Sequence, residues 1–181
     1  MKRRGPAILL AVAIAGCAAQ PAPHALTQDS STVQFASREN HVRFSYPKTW
    51  HPVTDDTILS LVPTGETSLG DHRLVIDIPD LPFHIPGLIP MGLVVRGFED
   101  DLKKRYKDVT LAPVADRQVG GVAGQELNAH ARGDHGDVVV RAVLFVEGDR
   151  VYFIDAESDT TGAAAASKAF ETVADSFQWM D

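Results

Sequence analysis

The chain has 181 residues, of which 44% are hydrophobic and 23% charged, an ordinary globular composition. This length suits one domain with a sizeable core and is short for two. The formal net charge is −7, and an acidic protein binds poorly to nucleic acid and to anionic lipid head groups. We therefore expect no nucleic-acid partner.

The N-terminus has the features of a signal peptide. Basic residues at 2–4 precede an unbroken apolar run over 7–15, which is far shorter than the ~20 residues of a membrane-spanning helix. The run leads into Ile14-Ala15-Gly16-Cys17, which resembles the bacterial lipobox. The resemblance implies cleavage before Cys17 and a diacylglycerol on its thiol. Cys17 is the only cysteine in the chain and can form no internal disulfide. The alternative is a plain secretory peptide with an incidental cysteine.

Lipidation would set the location of the protein. Cleavage removes three positive charges and changes the formal charge from −7 to −10. Because so acidic a protein has little attraction to anionic lipid head groups, the acyl chains would have to hold it on the membrane. Ala18 follows the cysteine where an aspartate would signal inner-membrane retention. We expect an outer-membrane anchor that faces the periplasm. We divide the chain into a signal peptide (1–16), a lipidated cysteine with a flexible tether rich in Ala, Pro, Gln, Ser and Thr (17–39), and a domain (40–181).

The first half of the domain alternates short strands with turns. Alternating side chains predict strands over 41–46, 58–62 and 73–78. The following segment, 80–91, has prolines at 82, 86 and 90 and can be neither helix nor central strand. It is either a hydrophobic contact surface for a partner or an acyl chain, or a lid over the core. Its candidate contact residues are Leu81, Phe83, Ile85, Leu88 and Ile89.

The second half contains two helices and a run of three strands. Apolar residues at helical spacing predict helices over about 93–107 and 162–177, the second capped by Thr160 or Thr161. Residues 109–119 contain Pro113 and predict an edge strand or two short pieces. Strands are predicted over 124–132, 137–147 and 150–158. We expect a three-residue turn after the second of these, which places Leu144 opposite Tyr152, Ala142 opposite Ile154 and Arg141 opposite Asp155.

The order of these elements resembles a known family. Phe44-Ser45-Tyr46-Pro47-Lys48-Thr49-Trp50 is similar to the F-x-Y-P-x-x-W entry of PsbP-like domains, and the three-strand meander followed by a helix and Ser176-Phe177 is similar too. The resemblance covers about 40–179. It implies an α+β fold, an antiparallel sheet with helices on both faces, and a non-enzymatic binding or assembly role without a cofactor.

Polar residues on one face of the three strands predicted over 124–158 indicate a polar surface. If the turn at 133–136 pairs Arg132 with Asp137, Asn128 lies beside Arg141. The surface is either a ligand or partner site, or a solvated sheet face with cross-strand charge pairs. Its candidate residues are Glu126, Asn128, His130, Arg132, Asp137, Arg141 and Asp155.

Catalytic and metal signals are weak. The chain has no G-x-S-x-G, no phosphate loop and no H-E-x-x-H. Weak metal candidates cluster near one turn, and a solvated hairpin tip, in which Gly and Asp serve the turn, is the favoured explanation of them: His130, Asp134, His135 and Asp137. We predict a lipid-anchored envelope protein, not an enzyme, that binds an envelope protein partner. The alternatives are a small-ligand or divalent-metal-binding lipoprotein and an unrecognised hydrolase.

Overall fold

The computed structural model describes residues 31–67, 70, 72–79 and 90–180. The predicted signal peptide, Cys17 and the candidate contact residues of the proline-rich loop lie outside the described residues. The elements of the first half are β1 (Thr32–Ser37), β2 (Val42–Pro47), β3 (Trp50–Val53), β4 (Leu59–Pro63), β5 (Arg73–Asp77) and α1 (Met91–Arg105). Those of the second half are β6 (Lys107–Leu111), β7 (Ala115–Val119), β8 (Val122–Gly133), β9 (Gly136–Glu147), β10 (Arg150–Asp159), α2 (Ala163–Ser176) and β11 (Gln178–Trp179).

The strands form two antiparallel sheets. The larger has the order β3-β4-β5-β10-β9-β8-β6, with β7 also pairing to β8. The smaller has the order β1-β2-β11. A hydrogen bond from the Ser45 backbone N–H to Ser176 Oγ, at 2.8 Å, ties the smaller sheet to the end of α2. The long strands β8 to β10 form the centre of the larger sheet, and the helices pack on the two faces of these strands.

The two helices cover opposite faces of the larger sheet. Val94 and Val95 of α1 pack with Leu127, Leu144 and Val151, and Leu102 packs further along the same face. On the other face, Phe170 and Val173 of α2 share a cluster with Val143, Phe145 and Ile154. The fold is thus an antiparallel sheet with helices on both faces, which confirms the predicted fold class.

The register between β9 and β10 differs from the prediction by one residue. The strands are joined by the two-residue turn Gly148-Asp149, in which Gly148 adopts a positive φ of 64° that glycine tolerates without strain. Leu144 consequently pairs with Phe153, and Arg141 with Ala156. A shift of one residue moves every side chain of a strand to the opposite face. Tyr152 and Ile154 therefore face α2, and Asp155 faces α1.

The β8–β9 register agrees with the prediction, because Arg132 pairs with Asp137 and Asn128 with Arg141. The extended segment before β8 forms two short pieces, β6 and β7, on either side of Pro113. This outcome is one of the two predicted for it. A proline has no backbone N–H for a ladder, so the strand breaks there.

Two other expectations are wrong, and one strand was missed. The domain does not begin near residue 40, because β1 pairs along its whole length with β2 and packs Val33 and Phe35 on the core. The short strand β3 was not predicted. Neither Thr160 nor Thr161 caps α2; Gly162 holds that position, and its N–H donates to the Asp159 carboxylate at 2.6 Å.

No helix among the described residues is long and apolar enough to cross a membrane.

Candidate functional site

The structure brings together six of the seven residues predicted for a polar surface. Glu126, Asn128, His130 and Arg132 alternate along β8, and Asp137 and Arg141 lie beside them on β9. All six face the side of the sheet that α2 covers. The seventh, Asp155, lies on the opposite face because of the β9–β10 register, so the expected Arg141–Asp155 pair does not form.

Arg141 is the centre of this surface. Its Nε donates to Glu126 Oε1 at 2.8 Å, its Nη1 to Ser167 Oγ at 2.9 Å, and its Nη2 lies 2.5 Å from Glu171 Oε1. The guanidinium also lies over the Phe170 ring, 4.5 Å from its centre. All three nitrogens therefore have an acceptor, and the side chain is fixed against α2.

Arg117 of β7 extends the same network. Its Nη1 donates to Glu126 Oε2 at 2.9 Å, and its Nη2 reaches Glu171 Oε2 at 2.5 Å and Asp175 Oδ1 at 2.8 Å. Glu126 and Glu171 thus each bridge the two arginines. Burial alone would raise the pKa of Glu126, but the hydrogen bonds from Arg141 and Arg117 lower it. The hydrogen bond from Arg117 is the main cause that lowers the pKa of Glu171. Both carboxylates stay ionised and paired.

A cleft of about 400 Å³ opens between this network and the first turns of α2. Its polar groups include Asn128, whose Nδ2 donates to Glu126 Oε1 at 3.3 Å, and Ser167, whose oxygen accepts from Arg141. The Asn128 side-chain oxygen and the Ser167 hydroxyl hydrogen keep hydrogen-bonding capacity. The lining residues are Glu126, Asn128, Val139, Arg141, Ala156, Ser158, Ala163, Ala166 and Ser167.

The weak metal candidates do not form a centre. His130, Asp134, His135 and Asp137 are all exposed at or near the β8–β9 hairpin tip. Asp137 lies 3.5 Å from Arg132, and Asp134 lies 4.0 Å from Lys107. Within residues 31–67, 70, 72–79 and 90–180, no group of three or more His, Cys, Asp and Glu side chains is arranged to hold a metal ion.

A second ionic cluster, which was not predicted, lies on the α1 face. Glu157 is 1% exposed and accepts from Arg73 Nη2 at 2.7 Å, from Arg105 and from the Tyr106 hydroxyl. Asp155 is 3% exposed and lies two residues earlier on the same face of β10. The shifted register places both acids against the end of α1. The alternation of Asp155, Glu157 and Asp159 in the sequence was a signal that these side chains share a face.

The two acids of this cluster have opposite pKa shifts. Burial, together with the neighbouring Glu157, raises the pKa of Asp155 well above its usual range. Burial also acts to raise the pKa of Glu157, but Arg73 and Arg105 more than offset it, so the pKa of Glu157 is lowered. One proton shared between close carboxyl groups is the expected arrangement. Because Glu157 of β10 accepts from Arg73 of β5 and from Arg105 and Tyr106 at the end of α1, the cluster links these three elements.

The chain matches no protein-family model and no curated protein. It is similar in structure to the cyanobacterial PsbP protein CyanoP from Synechocystis sp. PCC 6803, with a TM-score of 0.60 and 17% identity over 84% of this chain and 95% of that one. It is also similar to LpqN, involved in cell envelope biogenesis of Mycobacterium tuberculosis, with a TM-score of 0.61 and 12% identity over 86% of this chain and 88% of that one.

A third similar structure is the Ran-binding protein Mog1p of Saccharomyces cerevisiae. Its TM-score is 0.54 and its identity 10%, over 83% of this chain and 96% of that one. At these identities the likeness concerns the fold, since one fold serves many functions. The chain therefore has a PsbP-like α/β fold, as the sequence resemblance implied.

Proposed function

We propose that this chain is a lipid-anchored cell-envelope protein whose PsbP-like domain binds a protein partner and catalyses no reaction. The lipobox-like end of the apolar N-terminal run supports the anchor. The structural similarity to a protein involved in cell envelope biogenesis and to a cyanobacterial PsbP protein is consistent with an assembly role. The binding surface is the cleft between β8, β9 and the first turns of α2, with the open sheet face beside it.

The full engagement of Arg141 is the observation that carries this proposal. Each of its nitrogens has an acceptor, and its acidic partners Glu126 and Glu171 are shared with Arg117. A catalytic acid, base or nucleophile needs a group with a perturbed, available proton or lone pair. These groups instead hold each other in fixed, ionised positions, as suits a preorganised recognition surface.

The chemistry of the cleft also indicates its partner. Its charges are neutralised by neighbours, so a charged ligand would have to break existing ion pairs to gain new ones. Small side chains, Ala156, Ala163 and Ala166, stand beside the amide of Asn128 and the hydroxyl of Ser167. We infer that the partner contributes an uncharged segment that fills the apolar floor and hydrogen-bonds to these two groups.

A matched pair of helix substitutions tests the cleft. Ala163→Phe places a large ring in the cleft, whereas Ala165→Phe places the same ring on an exposed position of the same turn. We expect in-cell crosslinking of the full chain, with a photoreactive residue in place of His130, to yield a discrete adduct that Ala163→Phe removes and Ala165→Phe keeps. Equal yields from the two variants, at equal thermal stability, would contradict the cleft as the binding surface.

The anchor is tested separately. Cys17→Ser should move the protein from the membrane fraction to the soluble fraction, and the unchanged chain should fractionate with outer membranes and face the periplasm. A Cys17→Ser protein that stays on the membrane would refute lipidation while leaving the cleft proposal intact.

A small-ligand role is the second candidate. A cleft of about 400 Å³ lies within the size range of small-molecule pockets, roughly 300–1,000 Å³. In that case a dissociable small molecule, rather than a protein, would be recovered with the purified chain. It would be absent from the purified Ala163→Phe variant and present in the Ala165→Phe control.

A further inference from the structure

His72 joins two separate parts of the fold through both ring nitrogens. Its Nδ1 lies 2.7 Å from Glu66 Oε1, in the connection between β4 and β5. Its Nε2 lies 3.1 Å from Asp159 Oδ1, at the end of β10, within ion-pair distance but without the alignment of a hydrogen bond. The ring is 27% exposed, and among the described residues these two carboxylates are the charged groups within ion-pair distance of it.

Asp159 also fixes the start of α2. Its Oδ1 accepts the Gly162 N–H at 2.6 Å, and its two oxygens accept from the Thr161 hydroxyl at 2.7 and 2.9 Å. The His72 ring packs directly on this turn, because a Cβ added to Gly162 would lie 3.0 Å from two ring atoms. Ala163, the next residue, lines the cleft. A continuous set of contacts therefore runs from Glu66 through His72 and Asp159 to the cleft wall.

We propose that His72 is a pH-sensitive lock on the cleft: when protonated, it holds Glu66 and the first turn of α2 together, and when neutral it keeps its hydrogen bond with Glu66 and releases Asp159. This inference rests on the proposed function of the cleft and assigns its regulation. An imidazolium is positively charged, so it hydrogen-bonds to Glu66 through Nδ1 and forms an ion pair with Asp159 beside Nε2 at once. A neutral imidazole has one N–H and can serve one carboxylate only.

The electrostatics give the direction of the switch. The hydrogen bond with Glu66 is the largest cause that raises the pKa of His72; burial opposes it, and Asp159 adds to it. Capping of Gly162 is the main cause that lowers the pKa of Asp159 to about 2, so this carboxylate stays charged throughout. A raised histidine pKa means that the lock is fully formed below the ordinary value of 6.5 and is lost as pH rises through the folded-state pKa.

Hydrogen exchange on the full chain, followed by NMR at pH 5.5 and pH 8.5, tests the lock without any partner. After correction for intrinsic rates, the Ala166 and Ser167 amides should exchange about threefold faster at the higher pH, the size expected for a partly exposed ion pair. His72→Gln should remove this pH dependence, since glutamine does not titrate. His51→Gln, on β3 of the same sheet, should keep it.

A second measurement guards against a variant that folds poorly. The imidazole resonances of His72 in the unchanged chain should titrate above 6.5, and Asp159→Asn, whose amide oxygen can still accept the Gly162 N–H, should lower that pKa. An unshifted His72 titration, or equal pH dependence in the unchanged chain and His72→Gln, would overturn the lock. Because no partner is present, this outcome is distinct from failure of the cleft proposal, which the Ala163→Phe crosslink decides.

Discussion

Replacing Glu157 with glutamine is the sharpest test of the buried ionic cluster and of the β10 register that creates it. The side chain is 1% exposed and accepts from Arg73, Arg105 and Tyr106. A charge-assisted hydrogen bond contributes about 1.5–3 kcal/mol, and glutamine retains one acceptor. Removing one partner of a buried ion pair costs about 3–5 kcal/mol because the other charge stays buried. We expect the free energy of unfolding of Glu157→Gln to fall by about that amount.

Urea denaturation followed by circular dichroism measures this loss as a lower midpoint at unchanged m-value. Glu147→Gln, at the exposed end of β9, is the control and should stay within about 0.5 kcal/mol. The pKa of Glu157 is lowered in the fold, so its contribution is present above the ordinary value of 4.5 and is lost as pH falls through the folded-state pKa. The cost of Glu157→Gln should therefore shrink in acid. A cost below about 1 kcal/mol at neutral pH would refute the reasoning.

Further predictions concern the rest of the fold. Asp155→Asn should destabilise the chain much less than Glu157→Gln at neutral pH, because burial raises the pKa of Asp155 and an amide resembles the protonated acid; equal losses in urea would contradict this. Gly97→Ala should raise the unfolding free energy by about 0.5–1 kcal/mol, since its new Cβ meets no atom within 4 Å. Gly124→Ala should lower the unfolding free energy by about 3 kcal/mol, because its Cβ would lie 2.6 Å from the Leu144 carbonyl oxygen. Equal melting temperatures of the two glycine variants would contradict the close packing of Gly124 on β9. Phe170→Ala, at a fully buried ring beneath Arg141, should cost about 3–5 kcal/mol and loosen the cleft wall, which hydrogen exchange at Ser167 would detect.

Local patterns predicted most of the elements. Alternation identified β2, β4, β5 and the long β8–β10 run, and helical spacing identified both helices, because these elements bury one face and therefore repeat. The prediction failed where few residues carry the signal. Strand β1 has only six residues in a segment of tether-like composition, and its pairing with β2 is decided by tertiary contacts of Val33 and Phe35.

The candidate site, like the fold, was predicted only in part from local patterns. Six residues of the polar surface were placed correctly, because the glycines at 133 and 136 determined the β8–β9 register. Asp155 was misplaced because the β9–β10 turn allows two loop lengths, and the pattern of opposite charges favoured the wrong one. The contributions of Arg117, Ser167 and Glu171 depend on α2 packing across β7 and β9, a long-range contact that no local pattern encodes.

The hairpin of β1 and β2 has a mechanical consequence. Any force transmitted through the residues before Thr32 acts first on β1, an edge strand that pairs with β2 and packs Val33 and Phe35 on the core. Peeling six residues from that edge would extend the chain by about 20 Å and leave the eight-stranded sheet and its cleft intact. The hairpin can thus act as a reserve of length under load, while the strands of the larger sheet stay paired.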